Sequence, residues 1–146
     1  MSKAQLILQK NNIKPSLIRI KILEYIMKSK THPTAEEIYT TLKKQIPTLS
    51  KTSIYNNLNI LLSKKIIKDI KTKKEQRFDY IEKEHLNFYC QVCEKIFDIP
   101  LQELKILFKA RNFKVEKINL YAEGICEKCQ KQFSFKKTIN TNGKNN

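Results

Sequence analysis

The segment His85-Leu-Asn-Phe-Tyr-Cys90-Gln-Val-Cys93-Glu-Lys-Ile-Phe-Asp98 decides how the second half of this chain is organised. It contains the pair Cys90 and Cys93, and the only other cysteines form a second C-x-x-C pair, Cys126 and Cys129. Thiolates three positions apart on a tight turn can occupy two corners of a tetrahedron, and two such turns complete a four-thiolate zinc site. The spacing therefore predicts a structural Zn²⁺ ion bound by all four cysteines.

His85 and Asp98 flank the first cysteine pair, and a four-thiolate site needs neither of them. Their imidazole and carboxylate groups are harder ligands than thiolates and suggest a second metal site. The alternative for the cysteines is a redox dithiol. That motif normally opens a helix in a thioredoxin-like βαβ unit, which the sequence does not predict.

Composition indicates a polyanionic partner. The 146 residues carry a net charge of +15, of which residues 1–83 hold 18 basic and 7 acidic side chains, a net charge of +11. Such a basic half favours nucleic acid as the partner. A lysine-rich coding bias explains part of this charge but not its asymmetry. A nuclease would need clustered acids to bind two metal ions, and the acids are dispersed, which argues against a nuclease. We predict that the protein is not an enzyme.

The length of the chain allows one domain or two small ones, and the position of the cysteine pairs favours two. The sequence has no apolar run long enough to span a bilayer and no signal-peptide pattern at its beginning. We therefore expect a cytoplasmic protein without a membrane partner. In that reducing compartment, paired cysteines are better explained as metal ligands than as disulfides.

The first half has the pattern of successive helices. A short helical pattern at residues 2–11 precedes a helix from a Ser16 cap to about Ser29, one from about Ala35 to Gln45 that opens with a capping box at Thr34, and one from a Ser50 cap to about Lys64. The apolar positions at helical spacing predict the core. They are Ile20, Leu23, Ile26, Met27, Ile38, Leu42, Ile54, Leu58, Leu61 and Leu62.

The opposite face of the last of these helices has hydrogen-bonding side chains, one aromatic ring and one cation, but no acid. Its residues are Lys51, Thr52, Ser53, Tyr55, Asn56 and Asn59. A solvated face usually mixes Glu with Lys, whereas a face that enters a DNA groove needs donors and acceptors without negative charge. This pattern favours a recognition helix.

Two short β-rich runs, at residues 66–71 and 76–81, are joined by a turn at residues 72–75 and predict a hairpin. Three helices followed by such a hairpin is the winged-helix arrangement. In that arrangement, the lysines at the tip of the wing contact DNA phosphates. They are Lys71, Lys73 and Lys74.

The fold class predicted is α+β, with a winged helix-turn-helix domain followed by a small α/β dimerisation domain that contains the four-cysteine zinc site. We assign residues 1–81 to the DNA-binding domain, 82–84 to a hinge, 85–135 to the zinc domain and 136–146 to a disordered tail. Within the zinc domain the pattern predicts three strands and one helix. The strands span residues 86–90, 95–99 and 113–122, and the helix spans residues 101–110.

Several motifs in residues 14–133 resemble those of the ferric uptake regulator (Fur) superfamily of bacterial metal-dependent repressors. They are His32-Pro-Thr-Ala-Glu-Glu-Ile-Tyr39, Ser53-Ile-Tyr-Asn-Asn-Leu58, Arg77-Phe-Asp79 and the two C-x-x-C pairs. Within the superfamily, the Tyr-Asn-Asn-Leu segment and Asp98 are most similar to the peroxide-responsive (PerR) branch. An iron-uptake or zinc-uptake regulator of the same superfamily is the alternative, and a zinc-stabilised thiol switch or holdase is the alternative from another class.

The resemblance implies a homodimer that binds a palindromic, AT-rich operator in double-stranded DNA, with Lys14, Arg19 and Arg77 among its DNA contacts. It also implies a regulatory Fe(II) or Mn(II) site, at which peroxide reacting with bound iron oxidises a histidine and releases the protein from DNA. The implied regulatory ligands are His32, Asp79, His85, Asn87 and Asp98.

The sequence departs from the superfamily pattern at two places. The superfamily has His-x-His where this chain has His85-Leu-Asn87, and an amide oxygen is a poorer ligand than imidazole. The glycine usual after the recognition helix is replaced by Lys64-Lys65, so the sequence does not predict the residue at which that helix ends.

Overall fold

A computed structural model describes residues 1–83, 85–101, 110–114 and 120–133. The chain divides into two compact units, Met1–Glu82 and Lys83–Asn146. The tail predicted over residues 136–146 lies outside the described residues, and so does the helix predicted over 101–110 apart from its two end positions. The domain boundaries and the functions assigned to them stay predictions.

The N-terminal unit begins with four helices, and their start signals are local. They are α1 (Lys3–Lys10), α2 (Leu17–Lys28), α3 (Ala35–Lys43) and α4 (Lys51–Ser63). The predicted caps of the last three are confirmed, because the side chains of Ser16, Thr34 and Ser50 each accept a hydrogen bond from the backbone N–H three residues later. At Thr34 the capping box is complete, since Glu37 returns a bond from its carboxylate to the Thr34 N–H at 2.7 Å. Such caps satisfy backbone donors that the first turn leaves without helical partners.

The core of this unit lies where the helical periodicity predicts it, with differences at the ends. Seven of the ten predicted core positions are buried, whereas Ile20, Met27 and Leu62 are only partly buried and pack against the core. The helical pattern missed other buried apolar residues, among them Ala4, Leu8, Ile13, Ile22, Ala35 and Leu49. In α1 the buried face runs through Ala4 and Leu8, while Leu6 is 53% exposed. A helix of eight residues has too few turns for its periodicity alone to define the buried face.

The sequence did not predict the residue at which α4 ends. The helix is terminated by a residue with left-handed backbone geometry. Lys65 has φ of 55°, and its N–H donates to the Leu62 carbonyl at 2.9 Å while the Ile66 N–H donates to the Leu61 carbonyl at 3.0 Å. These two bonds close the helix as a glycine there would, but with a side chain in a conformation that glycine adopts at less cost.

The hairpin that follows is confirmed to within one residue at each outer end. It consists of β1 (Ile67–Lys71) and β2 (Gln76–Tyr80), which pair antiparallel with Lys71 opposite Gln76. The Thr72 hydroxyl, which accepts from the Glu75 N–H at 3.2 Å, organises the four-residue tip. A single bridge joins Thr34 to Arg77, so the segment before α3 runs along the outer edge of β2.

The C-terminal unit contains β3 (His85–Cys90), β4 (Ile96–Pro100) and β5 (Tyr121–Gly124) in one sheet, with β3 in the middle. The strand predicted over residues 113–122 is wrong in its bounds, because Phe113, Lys114 and Leu120 are not in a strand and β5 continues to Gly124. Residues 127–133 are helical, which the sequence did not predict. Pairing with the backbone of β3, rather than the β-propensity of Tyr-Ala-Glu-Gly, defines β5.

Among the described residues, no helix has the length and apolar character needed to cross a bilayer.

Candidate metal centres and DNA-binding surface

The register of the C-terminal sheet brings the two cysteine pairs together. β3 pairs parallel with β5 so that Cys90 is aligned with Gly124, and the Gln91 N–H donates to the Gly124 carbonyl at 2.8 Å. Cys93 lies in the turn after β3, and Cys126 and Cys129 follow β5. The four Sγ atoms all lie within 4.8 Å of one another, with Cys93 and Cys126 3.9 Å apart. A tetrahedron with Zn–S bonds of about 2.3 Å has edges of about 3.8 Å, so the cluster fits a zinc ion.

The thiols of this cluster differ in electrostatic environment. Burial favours the neutral thiol of Cys90, but the backbone N–H groups of Cys126, Cys93 and Val92 outweigh it and lower its pKa to about 6. Burial and the neighbouring thiols raise the pKa of Cys129 to about 12. Without a cation, four sulfur atoms this close cannot all be ionised at neutral pH, and a bound Zn²⁺ would compensate their charge.

In the N-terminal unit, two of the predicted regulatory ligands lie close together. His32 is 3% exposed, and its Nε2 is 3.8 Å from Oδ2 of Asp79 on β2. The Lys68 Nζ lies 3.7 Å from the same carboxylate oxygen. Two donor atoms bound to one ion at about 2.1 Å lie about 3.0–3.5 Å apart, so a small adjustment would let both ligate one ion.

The loop that presents His32 is held by β2. The Arg77 Nη1 donates to the carbonyls of Thr31 and His32 at 3.1 and 3.0 Å, and the Phe78 N–H donates to the Pro33 carbonyl at 2.9 Å. The Nη2 atom of Arg77 donates to the Glu75 carboxylate. Arg77, predicted as a DNA contact, therefore has its guanidinium bonded within the protein.

In the C-terminal unit, the other three predicted ligands meet on one face of β3. His85 and Asn87 are alternate residues of that strand, and Asn87 pairs directly with Asp98 of β4. The His85 Nε2 lies 3.5 Å from Asp98 Oδ1, and its Nδ1 is 2.8 Å from the Lys83 carbonyl. A ring nitrogen that faces a carbonyl carries the proton, and this bond typically orients a metal-binding histidine.

Asn87 presents its amide nitrogen, not its oxygen, to Asp98. Its Nδ2 donates to Asp98 Oδ1 at 2.8 Å, and the side chain is buried. In this orientation Asn87 acts as a donor that holds a carboxylate ligand. The sequence placed Asn87 among the ligands but gave no indication of this orientation, which depends on its cross-strand partner.

The predicted recognition face of α4 points to solvent, apart from one residue. Lys51, Thr52, Tyr55, Asn56 and Asn59 are exposed, while Ser53 is half-buried. Lys51 forms an ion pair with Glu36 of α3 at 2.9 Å, and this hydrogen bond raises the pKa of Lys51. Elsewhere, the predicted DNA contact Lys14 and the predicted phosphate contacts Lys71, Lys73 and Lys74 are also exposed.

Arg19 connects α2 to α4 through a residue that sequence reasoning had not singled out. Its Nε donates to Oδ1 of the buried Asn57 at 3.0 Å, and Asn57 donates to the Ser53 carbonyl at 2.8 Å. The Arg19 Nη1 donates to the Lys14 carbonyl. Asn57 stands in the motif Tyr-Asn-Asn-Leu, where it could have been recognised as the one polar residue at a buried helical position.

Comparison with known proteins agrees with these features. The family model of the ferric uptake regulator family matches residues 10–123. The peroxide operon regulator of Bacillus subtilis (strain 168) is 32% identical over 116 residues, covering 76% of this chain and 80% of that protein. The peroxide-responsive repressor PerR of Staphylococcus aureus (strain USA300) is 33% identical over 114 residues, covering 75% and 77%.

The crystal structure of the Campylobacter jejuni peroxide stress regulator is similar at a TM-score of 0.67 and 26% identity, and the match covers 88% of this chain and 100% of that chain. The α+β architecture, with helices followed by two small sheets, is therefore the one that this regulator has. The motifs, the fold and the extent of the family match lead to one conclusion: the chain belongs to the ferric uptake regulator family.

Proposed function

We propose that this protein is a metal-dependent transcriptional repressor that binds a palindromic, AT-rich operator as a homodimer and senses peroxide through a regulatory Fe(II) or Mn(II) site. The observation that carries the proposal is that each of the two histidines of the chain lies within 4 Å of a carboxylate oxygen from the predicted ligand set, 3.8 Å for His32 and 3.5 Å for His85. Chance alone would rarely pair both histidines in this way.

The proposed regulatory site combines His32 and Asp79 with His85 and Asp98, and the amide N–H of Asn87 orients the Asp98 carboxylate. Two neutral imidazoles and two carboxylates balance the charge of a divalent cation. Nitrogen and oxygen ligands of this kind suit Fe(II) or Mn(II), whereas the cysteine cluster suits structural Zn²⁺. Bound iron would supply the chemistry by which peroxide oxidises a histidine, and bound manganese would not.

The proposed DNA interface is the exposed face of α4 together with the wing. Tyr55 and Asn56 have the donor and acceptor groups that read base edges, and the exposed face of α4 itself carries no acid; the nearby Glu36 of α3 is paired with Lys51. Lys71, Lys73 and Lys74 at the wing tip supply positive charge for phosphates. The two peroxide regulators named above support this function, because the matched segments cover 80% and 77% of their lengths.

The test is a gel shift at fixed salt on a palindromic AT-rich operator and on random DNA, with Mn(II) or Fe(II) and with or without peroxide. We expect metal to strengthen operator binding, and peroxide to abolish it in the iron form only. Asn56→Ala should cost about 1–3 kcal/mol on the operator and little on random DNA. Mass spectrometry should find one added oxygen on His32 or His85 after peroxide.

Three outcomes would point elsewhere. Iron-dependent binding that resists peroxide would identify an iron-uptake regulator. Binding that needs no metal and ignores His32→Ala would identify a constitutive DNA-binding protein. Affinity for unfolded protein without operator preference would favour the thiol-switch or holdase alternative.

A further inference from the structure

The guanidinium of Arg77 makes a set of bonds that a phosphate contact would have to give up. Its Nη1 bonds the carbonyls of Thr31 and His32, and its Nη2 bonds the Glu75 carboxylate. The side chain is half-buried, unlike the exposed Lys73 and Lys74. Glu75 also compensates the positive charge of Arg77, which lowers its attraction for a DNA phosphate.

His32 has a backbone conformation that requires support. Its φ is 54°, in the left-handed region, and it precedes Pro33. The ring of a proline restricts the residue before it to extended conformations, and a left-handed residue without glycine's freedom is strained. Such a conformation persists only where surrounding contacts hold it.

The contacts that hold His32 come from the strand that also bears Asp79. Arg77 and Asp79 are alternate residues of β2 and point to the same face of the strand. The bond from the Phe78 N–H to the Pro33 carbonyl attaches the loop to the backbone between them. Arg77 then fixes the carbonyl of His32 itself, which leaves its imidazole 3.8 Å from Asp79.

We propose that Arg77 is a positioning residue for the regulatory metal site, rather than a DNA contact, and that it couples the wing tip to that site. This inference rests on the proposed function and deepens it. One end of the guanidinium holds the His32 backbone and the other holds Glu75 at the wing tip. A change at the His32 backbone therefore reaches Glu75 at the wing tip through one planar guanidinium group.

The test compares Arg77→Lys, which keeps the charge but loses the planar fork, with Arg77→Gln and the matched charge removal Lys73→Gln at the wing tip. Three quantities are measured on the full chain: Mn(II) affinity, the imidazole NMR signals of the metal-free protein, and the salt dependence of DNA binding. Because the chain has only two histidines, each ring signal can be assigned with His32→Ala and His85→Ala.

We expect Arg77→Lys to lower Mn(II) affinity about 10- to 100-fold, as removal of a group that orients a metal ligand does. The His32 signal should move or broaden while the His85 signal does not, and the salt slope should stay unchanged. Lys73→Gln should reduce the salt slope by about one unit and leave Mn(II) affinity intact.

The proposal is overturned if Arg77→Lys leaves the His32 signal and Mn(II) affinity unchanged, or if Arg77→Gln reduces the salt slope as Lys73→Gln does. Thermal unfolding separates a folding defect in Arg77→Gln from a positioning defect. Glu75→Gln weakens the bond between Glu75 and the guanidinium without altering the arginine. If the wild-type protein and His32→Ala bind Mn(II) equally, the proposed function fails instead. The His32 signal of the metal-free protein then still tests Arg77.

Discussion

At the scale of single residues, Asn87 stands where the family resemblance implies a histidine ligand. A buried amide replaces an imidazole, and the amide uses its N–H to hold Asp98. The carboxylate is thereby oriented, but the site has one nitrogen ligand fewer than the His-x-His pattern provides. We therefore expect the proposed regulatory site to bind metal more weakly than it would with a histidine at position 87.

The substitution Asn87→His should therefore tighten Mn(II) binding by about tenfold and lower the metal concentration needed for operator binding, because imidazole is the better ligand. Titration of Mn(II) followed by electron paramagnetic resonance would measure the change. Asn59→His adds a histidine on the exposed face of α4 and serves as the control, with no change in affinity expected. Equal affinities for Asn87→His and the wild-type protein would mean that position 87 does not face the metal.

At the scale of elements, two helices of the N-terminal unit end with the same left-handed geometry but use different residues. After α1 the residue is Asn12, with φ of 58°, and after α4 it is Lys65, with φ of 55°. Asparagine tolerates this conformation better than lysine because its short polar side chain can bond locally. The end of α4 therefore stores strain at a position where the family usually has glycine.

We predict that Lys65→Gly stabilises the N-terminal unit by about 0.5–1 kcal/mol. The left-handed lysine costs about 1–2 kcal/mol, which exceeds the extra chain entropy that glycine loses on folding. In a unit of this size, the melting temperature measured by calorimetry should rise by a few degrees. Lys64→Gly is the control and should destabilise, because Lys64 has an ordinary φ of −88°. A lower melting temperature for Lys65→Gly would contradict the strain argument.

At the scale of the whole molecule, the cysteine cluster is the place where a structural metal would contribute to stability. The described part of the C-terminal unit has three short strands, and many of its large apolar side chains are exposed, among them Phe97, Ile99 and Tyr121. In these described residues few apolar side chains are buried, so a structural metal held by the cysteine cluster would add to the stability of this part of the unit.

We expect Cys93→Ser or Cys126→Ser to unfold the C-terminal unit and abolish dimerisation, since structural zinc contributes about 10 kcal/mol or more of folding free energy in such sites. Zinc content by mass spectrometry and oligomeric state by analytical ultracentrifugation would measure both effects. The N-terminal unit, which has its own core, should keep its helical signal in circular dichroism. An intact dimer with full zinc content in either variant would rule out the four-thiolate assignment.

The sequence alone determined the features whose causes are local. The caps at Ser16, Thr34 and Ser50, the four-residue turn of the hairpin and the buried stripes of α2 to α4 follow from neighbouring residues and from helical periodicity. The C-x-x-C spacing likewise predicted which four cysteines form one cluster.

Only the tertiary structure decided the features that depend on residues far apart in the chain. The parallel register that aligns Cys90 with Gly124, the bounds of β5, the bond from Asn87 to Asp98 and the bonds from Arg77 to the His32 loop all join segments that are eleven or more positions apart. Arg77 shows the difference best. The family resemblance predicted a DNA contact at Arg77, but a guanidinium bonds whichever acceptors the fold brings within reach, and here the fold brings two carbonyls and a carboxylate.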